Sequence, residues 1–268
     1  MQAIIQDFAA PLYQQPQKGT LIDQVLFGMT VEIQQCKGEF AQVKTFYGYE
    51  GWLPQKSLCQ QNIDQWKKAQ VFVSTPSLSV LSQPEVQGEI LATVPRGGRL
   101  IPLDEQDGWT QVQLPSGKTG WTMSACLAPC ISWPEKLPEA DLRGNLCRWA
   151  FSYLGTSYLW GGKTPLGIDC SGLISMVYLL NGIVIYRDAT LKDGFGLSPI
   201  PVELAKPGDV LYFPGHMAMY LGEGKILHAT ARRKNPTCCI ESIRPEDKAF
   251  RPDLVKNILC AGSFFATK

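Results

Sequence analysis

The sequence predicts an α+β chain: two small all-β barrels in tandem, then a larger α+β domain. Three observations predict it. The front half repeats itself at a fixed offset, residues 131–138 interrupt the pattern with prolines, and helical periodicity begins only after that interruption.

The repeat comes first along the chain. Gly28 matches Gly97, Phe40 matches Trp109, Val43 matches Val112, Gly51-Trp52 matches Gly120-Trp121 and Leu58 matches Leu127, each 69 residues on and without a gap. In each copy an apolar start (Leu12 or Leu81) is followed by a run into a glycine turn (Val25 to Gly28, Val94 to Gly98), an alternating strand and a Gly-Trp pair. Trp109, Gln111 and Gln113 alternate with Thr110, Val112 and Leu114, the period of two that a half-buried strand requires. Trp52 and Trp121 are expected to fill the two cores. The reading divides the chain at 1–65, 66–130 and 131–268.

Composition bounds the function classes. A chain of 268 residues exceeds one ordinary core of roughly 150, and 45% hydrophobic against 18% charged residues is the balance of a folded protein. The formal net charge is +1, and Arg232-Arg233-Lys234, the one short basic cluster, reads as solvated loop charge, so no nucleic-acid partner is expected. Residues 1–15 show neither a basic start nor a sustained apolar run, and Leu173 to Tyr186 is broken by Ser175, Asn181 and Gly182. Neither a secretory signal nor a membrane span is expected. Nine unevenly spaced cysteines suit a reducing, cytoplasmic compartment. Eight of them read as buried filler, Cys170 being the exception.

The segment Ile131-Ser132-Trp133-Pro134-Glu135-Lys136-Leu137-Pro138 reads as a linker. Glu139 to Leu154 follows as a helix, with Leu142, Leu146, Trp149, Ala150 and Tyr153 at helical spacing. A second helix runs from Cys170 to Leu180 on the stripe Leu173, Met176, Val177 and Leu180, with Asp169 as N-cap and Asn181-Gly182 as stop. Cys170 then sits in the first turn, where unpaired backbone N–H groups favour a thiolate. Gly161-Gly162 and Gly167 are expected to let a substrate backbone come close.

A nucleophilic thiol needs a base, and the chain has two histidines, His216 and His228. His216 to Leu221 and Lys225 to Thr230 read as a hairpin across Gly222-Glu223-Gly224. That three-residue loop pairs Leu221 with Lys225 and sets His228 opposite Ala218, one diagonal step from His216, at roughly 7–8 Å between Cα atoms. A two-residue loop would put the rings on opposite faces. In the first register Cys170 is the nucleophile, His216 its base and His228 the orienter. Cys126 and Cys130, or His228 near Cys238-Cys239, leave a zinc set incomplete, so no metal and no cofactor is expected.

On Tyr158-Leu159-Trp160-Gly161-Gly162, Asp169-Cys170-Ser171-Gly172, Pro207-Gly208-Asp209, His216 and His228-Ala229, residues 140–265 resemble the NlpC-type cysteine peptidases of cell-wall metabolism, which are papain-like. Residues 8–130 resemble paired bacterial SH3-like domains. The combination is similar to γ-D-glutamyl-meso-diaminopimelate endopeptidases, and implies an enzyme that hydrolyses that bond in peptidoglycan-derived muropeptides. By the resemblance Cys170, His216 and His228 are catalytic, and Tyr158 stands near the oxyanion. Trp160, Asp169, Ser171 and Asp188 line the substrate pocket, and Tyr49 is offered to an N-terminal L-Ala. The acid that such enzymes direct at the free amine falls at Thr20, with Asp23 the nearest acid, which leaves longer wall-derived peptides open as substrates. An N-acetylmuramoyl-L-alanine amidase, a thiol acyltransferase and a non-catalytic wall-fragment module are the alternatives. Oligomeric state is not legible.

Overall fold

The computed structural model describes residues 1–61, 63–66, 71–232 and 234–266. The chain divides into two compact units, Met1–Cys130 and Ile131–Lys268.

The first unit contains the duplication. Its first copy is built of β1 (Gln2–Ile5), β2 (Ala9–Tyr13), β3 (Leu21–Leu26), β4 (Thr30–Lys37), β5 (Phe40–Thr45), β6 (Glu50–Pro54) and β7 (Leu58–Cys59). After the single turn α1 (Ile63–Trp66) come β8 (Val71–Val73), β9 (Ser77–Leu81), β10 (Ile90–Pro95), β11 (Arg99–Gln106), β12 (Trp109–Gln113), β13 (Thr119–Met123) and β14 (Leu127–Pro129). The strand orders β3-β2-β6-β5-β4-β1-β7 and β10-β9-β13-β12-β11-β8-β14 are the same order seven strands on. The period of two holds as read: Thr110, Val112 and Leu114 are buried.

That same period corrects the tryptophans. Gly51 and Leu53 point inward on β6, so Trp52 between them faces outward and is half-buried, and Trp121 on β13 follows the same rule. Other apolar side chains fill the cores, and one core is shared. Ile4, Phe27 and Trp66 from the first copy and its connecting turn pack with Val73, Leu78, Val80, Val94, Leu100 and Val112 of the second. Trp66 is 2% exposed and meets Phe27 edge-on. The Arg99 backbone N–H donates to the Phe27 carbonyl at 2.9 Å.

The second unit opens with α2 (Glu139–Phe151), which buries Leu142, Leu146 and Ala150. The short β15 (Lys163–Thr164) and β16 (Gly167–Ile168) lead into α3 (Cys170–Leu179). A six-stranded antiparallel sheet follows from β17 (Ser198–Ile200), β18 (Val210–Phe213), β19 (His216–Gly222), β20 (Lys225–Thr230), β21 (Thr237–Ser242) and β22 (Cys260–Ser263), in the order β17-β22-β18-β19-β20-β21. The turn α4 (Pro252–Val255) lies between β21 and β22. The helix α3 packs against α2, β19 and β20. Among the described residues, no helix is long and apolar enough to cross a membrane.

The nine cysteines are free thiols. The filler reading fails for Cys36, which is exposed on β4, and Cys126, Cys130, Cys147 and Cys260 are half-buried.

Candidate active site

The first turn of α3 is fixed by a buried polar knot. The Asp169 side chain caps the helix by accepting from the Gly172 N–H at 2.5 Å, and it also accepts from the Gly161 N–H at 2.7 Å. Arg187, 1% exposed, forks onto both Asp169 carboxylate oxygens at 3.2 Å and donates to the Ser171 hydroxyl at 2.6 Å. A paired, hydrogen-bonded ion pair of this kind is costly to break from one side, so it holds the turn rigidly. Two glycines are required by this packing. A Cβ on Gly172 would stand 2.1 Å from the Gly162 carbonyl oxygen, and one on Gly162 would stand 2.5 Å from that of Gly167.

Cys170 therefore emerges at a fixed position, but not as the expected thiolate. Burial pushes its thiol up to about 11, the Asp169 charge adds to this, and the N–H groups of Met217 and Ser171 with Arg187 offset only part. Desolvation outweighs the helix-start field. Met217 directly follows His216, so the sulfur sits at the head of β19.

The hairpin reaches its register by a different route from the one read in the sequence. The turn has two residues, Glu223 and Gly224, both at positive φ, and Gly222 rather than Leu221 pairs with Lys225. A β-bulge between Tyr220 and Gly222 then adds the missing residue, so that Tyr220 pairs with Ile226 and Met219 with Leu227. Continued one step, that register sets Ala218 opposite His228. The two rings share a face, with His216 Nε2 2.7 Å from His228 Nδ1.

The chain of contacts continues beyond the sequence reading. His228 Nε2 lies 2.8 Å from Glu241 Oε2 on β21, and Arg251 hydrogen-bonds the same Glu241 oxygen. Arg251 also forks onto Asp253, at 2.8 and 2.7 Å. Burial alone would raise the Glu241 carboxyl, but the hydrogen bonds from His228 and Arg251 prevail and hold it below its ordinary range. An ionised Glu241 accepts a hydrogen bond from His228 Nε2–H. His228 Nδ1 then accepts from His216 Nε2–H, which leaves His216 Nδ1 as a free base. Burial draws the His216 imidazole down to about 3, with His228, Arg251 and Arg232 adding and Glu241 opposing. At neutral pH the pair is a thiol and a neutral imidazole.

Cys170 and His216 line one cavity of about 260 Å³ together with Tyr158, Phe213, Thr230 and Arg251. Burial pushes the Tyr158 hydroxyl up to about 12, with Cys170 and Asp169 adding, so it remains a hydrogen-bond donor. His228 is fully buried behind His216. Trp160, Asp169, Ser171 and Asp188 do not line this cavity. Trp160 is exposed, Asp169 and Ser171 are tied to Arg187, and Asp188 contacts Tyr186. Tyr49 lies in the first unit, where its N–H donates to the Thr45 hydroxyl. Asp23 is buried there and accepts from the Tyr47 hydroxyl at 2.6 Å. Arg232, expected as loop charge, lines the cavity and pairs with Asp253, while Arg233 lies outside the described residues. The donor atoms of His228, Cys239 and Glu241 fall within 4.8 Å of one another. His228 Nε2 and Glu241 Oε2 face each other at 2.8 Å, and the cation paired with that carboxylate is Arg251.

Glu241 escaped the sequence reading although the same logic reaches it. His228 pairs with Cys239 across β20 and β21, and Glu241 is one diagonal step further, just as His228 is from His216.

Comparison with known proteins gives a consistent picture. Models of protein families match in three places: the NlpC/P60 family at residues 155–244, a bacterial SH3 domain at 76–128, and a bacterial dipeptidyl-peptidase SH3 domain at 12–58. Dipeptidyl-peptidase 6 of Lysinibacillus sphaericus is 36% identical over 99% of this chain and 100% of that protein. A γ-D-glutamyl-L-lysine dipeptidyl-peptidase of Bacillus cereus is 28% identical over 77% of this chain and 66% of its own length. The crystal structure of a Bacillus cereus NlpC/P60 family protein superposes with a TM-score of 0.83 at 23% identity, covering 98% of this chain and 99% of that one, which establishes the shared fold.

Proposed function

Since the chain belongs to the NlpC/P60 family of cysteine peptidases and carries two bacterial SH3 domains ahead of the peptidase domain, we propose that it hydrolyses the amide between the γ-carboxyl of D-glutamate and a diamino acid, meso-diaminopimelate, in peptidoglycan-derived peptides. Two relatives are named for the γ-D-glutamyl-L-lysine bond, which supports the γ-glutamyl carbonyl as the point of attack. The observation that carries the reading is the relay from His216 through His228 to Glu241, ending on a cavity that holds the Cys170 sulfur.

In the proposed reaction His216 Nδ1 takes the Cys170 proton as the sulfur adds to the γ-carbonyl carbon. Backbone N–H groups at the start of α3 and the Tyr158 hydroxyl receive the oxyanion. His216 returns the proton to the leaving α-amine, and a water deprotonated by the same ring then cleaves the thioester. His228 keeps the His216 ring in the required tautomer, and Glu241 balances the charge that the imidazoles acquire.

Purified protein incubated with L-Ala-γ-D-Glu-meso-diaminopimelate is expected to release L-Ala-γ-D-Glu, weighed by mass spectrometry. Cys170→Ala is expected to lower the rate by more than roughly a thousandfold. Failure to cleave this tripeptide while the same peptide is released intact from a muramic-acid-linked substrate offered in parallel, or cleavage that survives Cys170→Ala, refutes the reading.

A further inference from the structure

Beyond His216 the cavity wall is formed by the chain just after β20 and by the segment around α4. Arg232, Asp253 and Asn257 line it there beside Leu254. His216 returns its proton to the leaving amine, so the leaving group has to lie on the His216 side of the sulfur. In the γ-glutamyl reading that group is a diamino acid. Its side chain ends in an ammonium alone or in an ammonium and a carboxylate on one carbon.

We propose that Arg232 and Asp253 form a subsite for the zwitterionic end of a diaminopimelate-type leaving group, Arg232 taking the carboxylate and Asp253 the ammonium. The proposal rests on the γ-glutamyl reaction above and assigns the residues that read its leaving side. In the unliganded site Arg232 Nη1 stands 3.6 Å from Asp253 Oδ2, with side chains 78% and 42% exposed. An exposed pair at that separation is weak and opens at little cost. A zwitterion inserted between the partners gives each a new counter-charge, so no charge is left alone. Asp253 is held ready: Arg251 clamps both its oxygens, draws its carboxyl down to about 2, and is itself anchored on Glu241. A lysine leaving group brings the ammonium without the carboxylate. It would crowd a third cation onto Asp253 and give Arg232 nothing in exchange.

The test uses the full chain and three tripeptides, L-Ala-γ-D-Glu joined to meso-diaminopimelate, to the same residue amidated at its distal carboxylate, and to L-lysine. Wild-type kcat/KM is expected to favour the free carboxylate over the amide by about five- to tenfold, the size of one charge-assisted contact at a partly wet site. Arg232→Ala is expected to bring that ratio close to one, and Arg232→Lys to keep most of it. The Arg232 side chain is largely exposed, so both variants should fold. A wild-type ratio near one, or a ratio that Arg232→Ala leaves unchanged, overturns the subsite while the peptidase reading stands. If wild type cleaves none of the three, the γ-glutamyl reaction itself fails and the subsite falls with it.

Discussion

At the scale of single residues, the site is governed by what burial does to charge. A cysteine at a helix start would ordinarily gain acidity, yet the Cys170 thiol is pushed up to about 11, because the sulfur is buried and the Asp169 carboxylate stands beside it. Its partner His216 is drawn down to about 3 for the same first reason. The sign is the same for both: the neutral form is favoured, so the resting pair has no separated charge to solvate, and the proton moves only when a carbonyl arrives. Alkylation of Cys170 by iodoacetamide, followed by peptide mass spectrometry to separate it from the other thiols, is therefore expected to accelerate as pH rises through 9 toward about 11. A rate already at its plateau near pH 7 would reveal a thiolate–imidazolium pair and contradict this account.

At the scale of elements, legibility followed locality. The helix α3, its cap and its apolar stripe came straight from spacing, because every determinant lies within a dozen residues. The duplication was readable because two copies check each other. The hairpin was harder. Its turn was read one residue too long, and the bulge at Leu221 compensated, so the face shared by His216 and His228 came out right for an incomplete reason. Glu241, Arg251 and Arg187 were missed because their placement depends on pairings between segments far apart in sequence, and nothing local marks a buried arginine. Glycine packing beside Cys170 is equally non-local. Since a Cβ on Gly172 would meet the Gly162 carbonyl oxygen at 2.1 Å, and that atom is backbone, Gly172→Ala must move the first turn of α3. We expect it to destabilise the fold by about 1–3 kcal/mol in urea unfolding and to cost activity well beyond that loss, by displacing the sulfur. A fully active Gly172→Ala protein would show that the turn is not held by this contact.

At the scale of the whole molecule, the duplicated half behaves as one body. Trp66 belongs to the turn between the copies, yet it is buried in a core with Ile4 and Phe27 on one side and Val73 to Val112 on the other. Trp66→Ala is expected to cost about 3–5 kcal/mol and to destabilise both copies together, read by hydrogen exchange in the strands of each. Protection lost in one copy alone would contradict the shared core. The same joint constrains the history open to this gene. Tandem repeats invite unequal crossover, which trims two copies to one, but a descendant that lost either copy would leave Trp66 and its companions facing water.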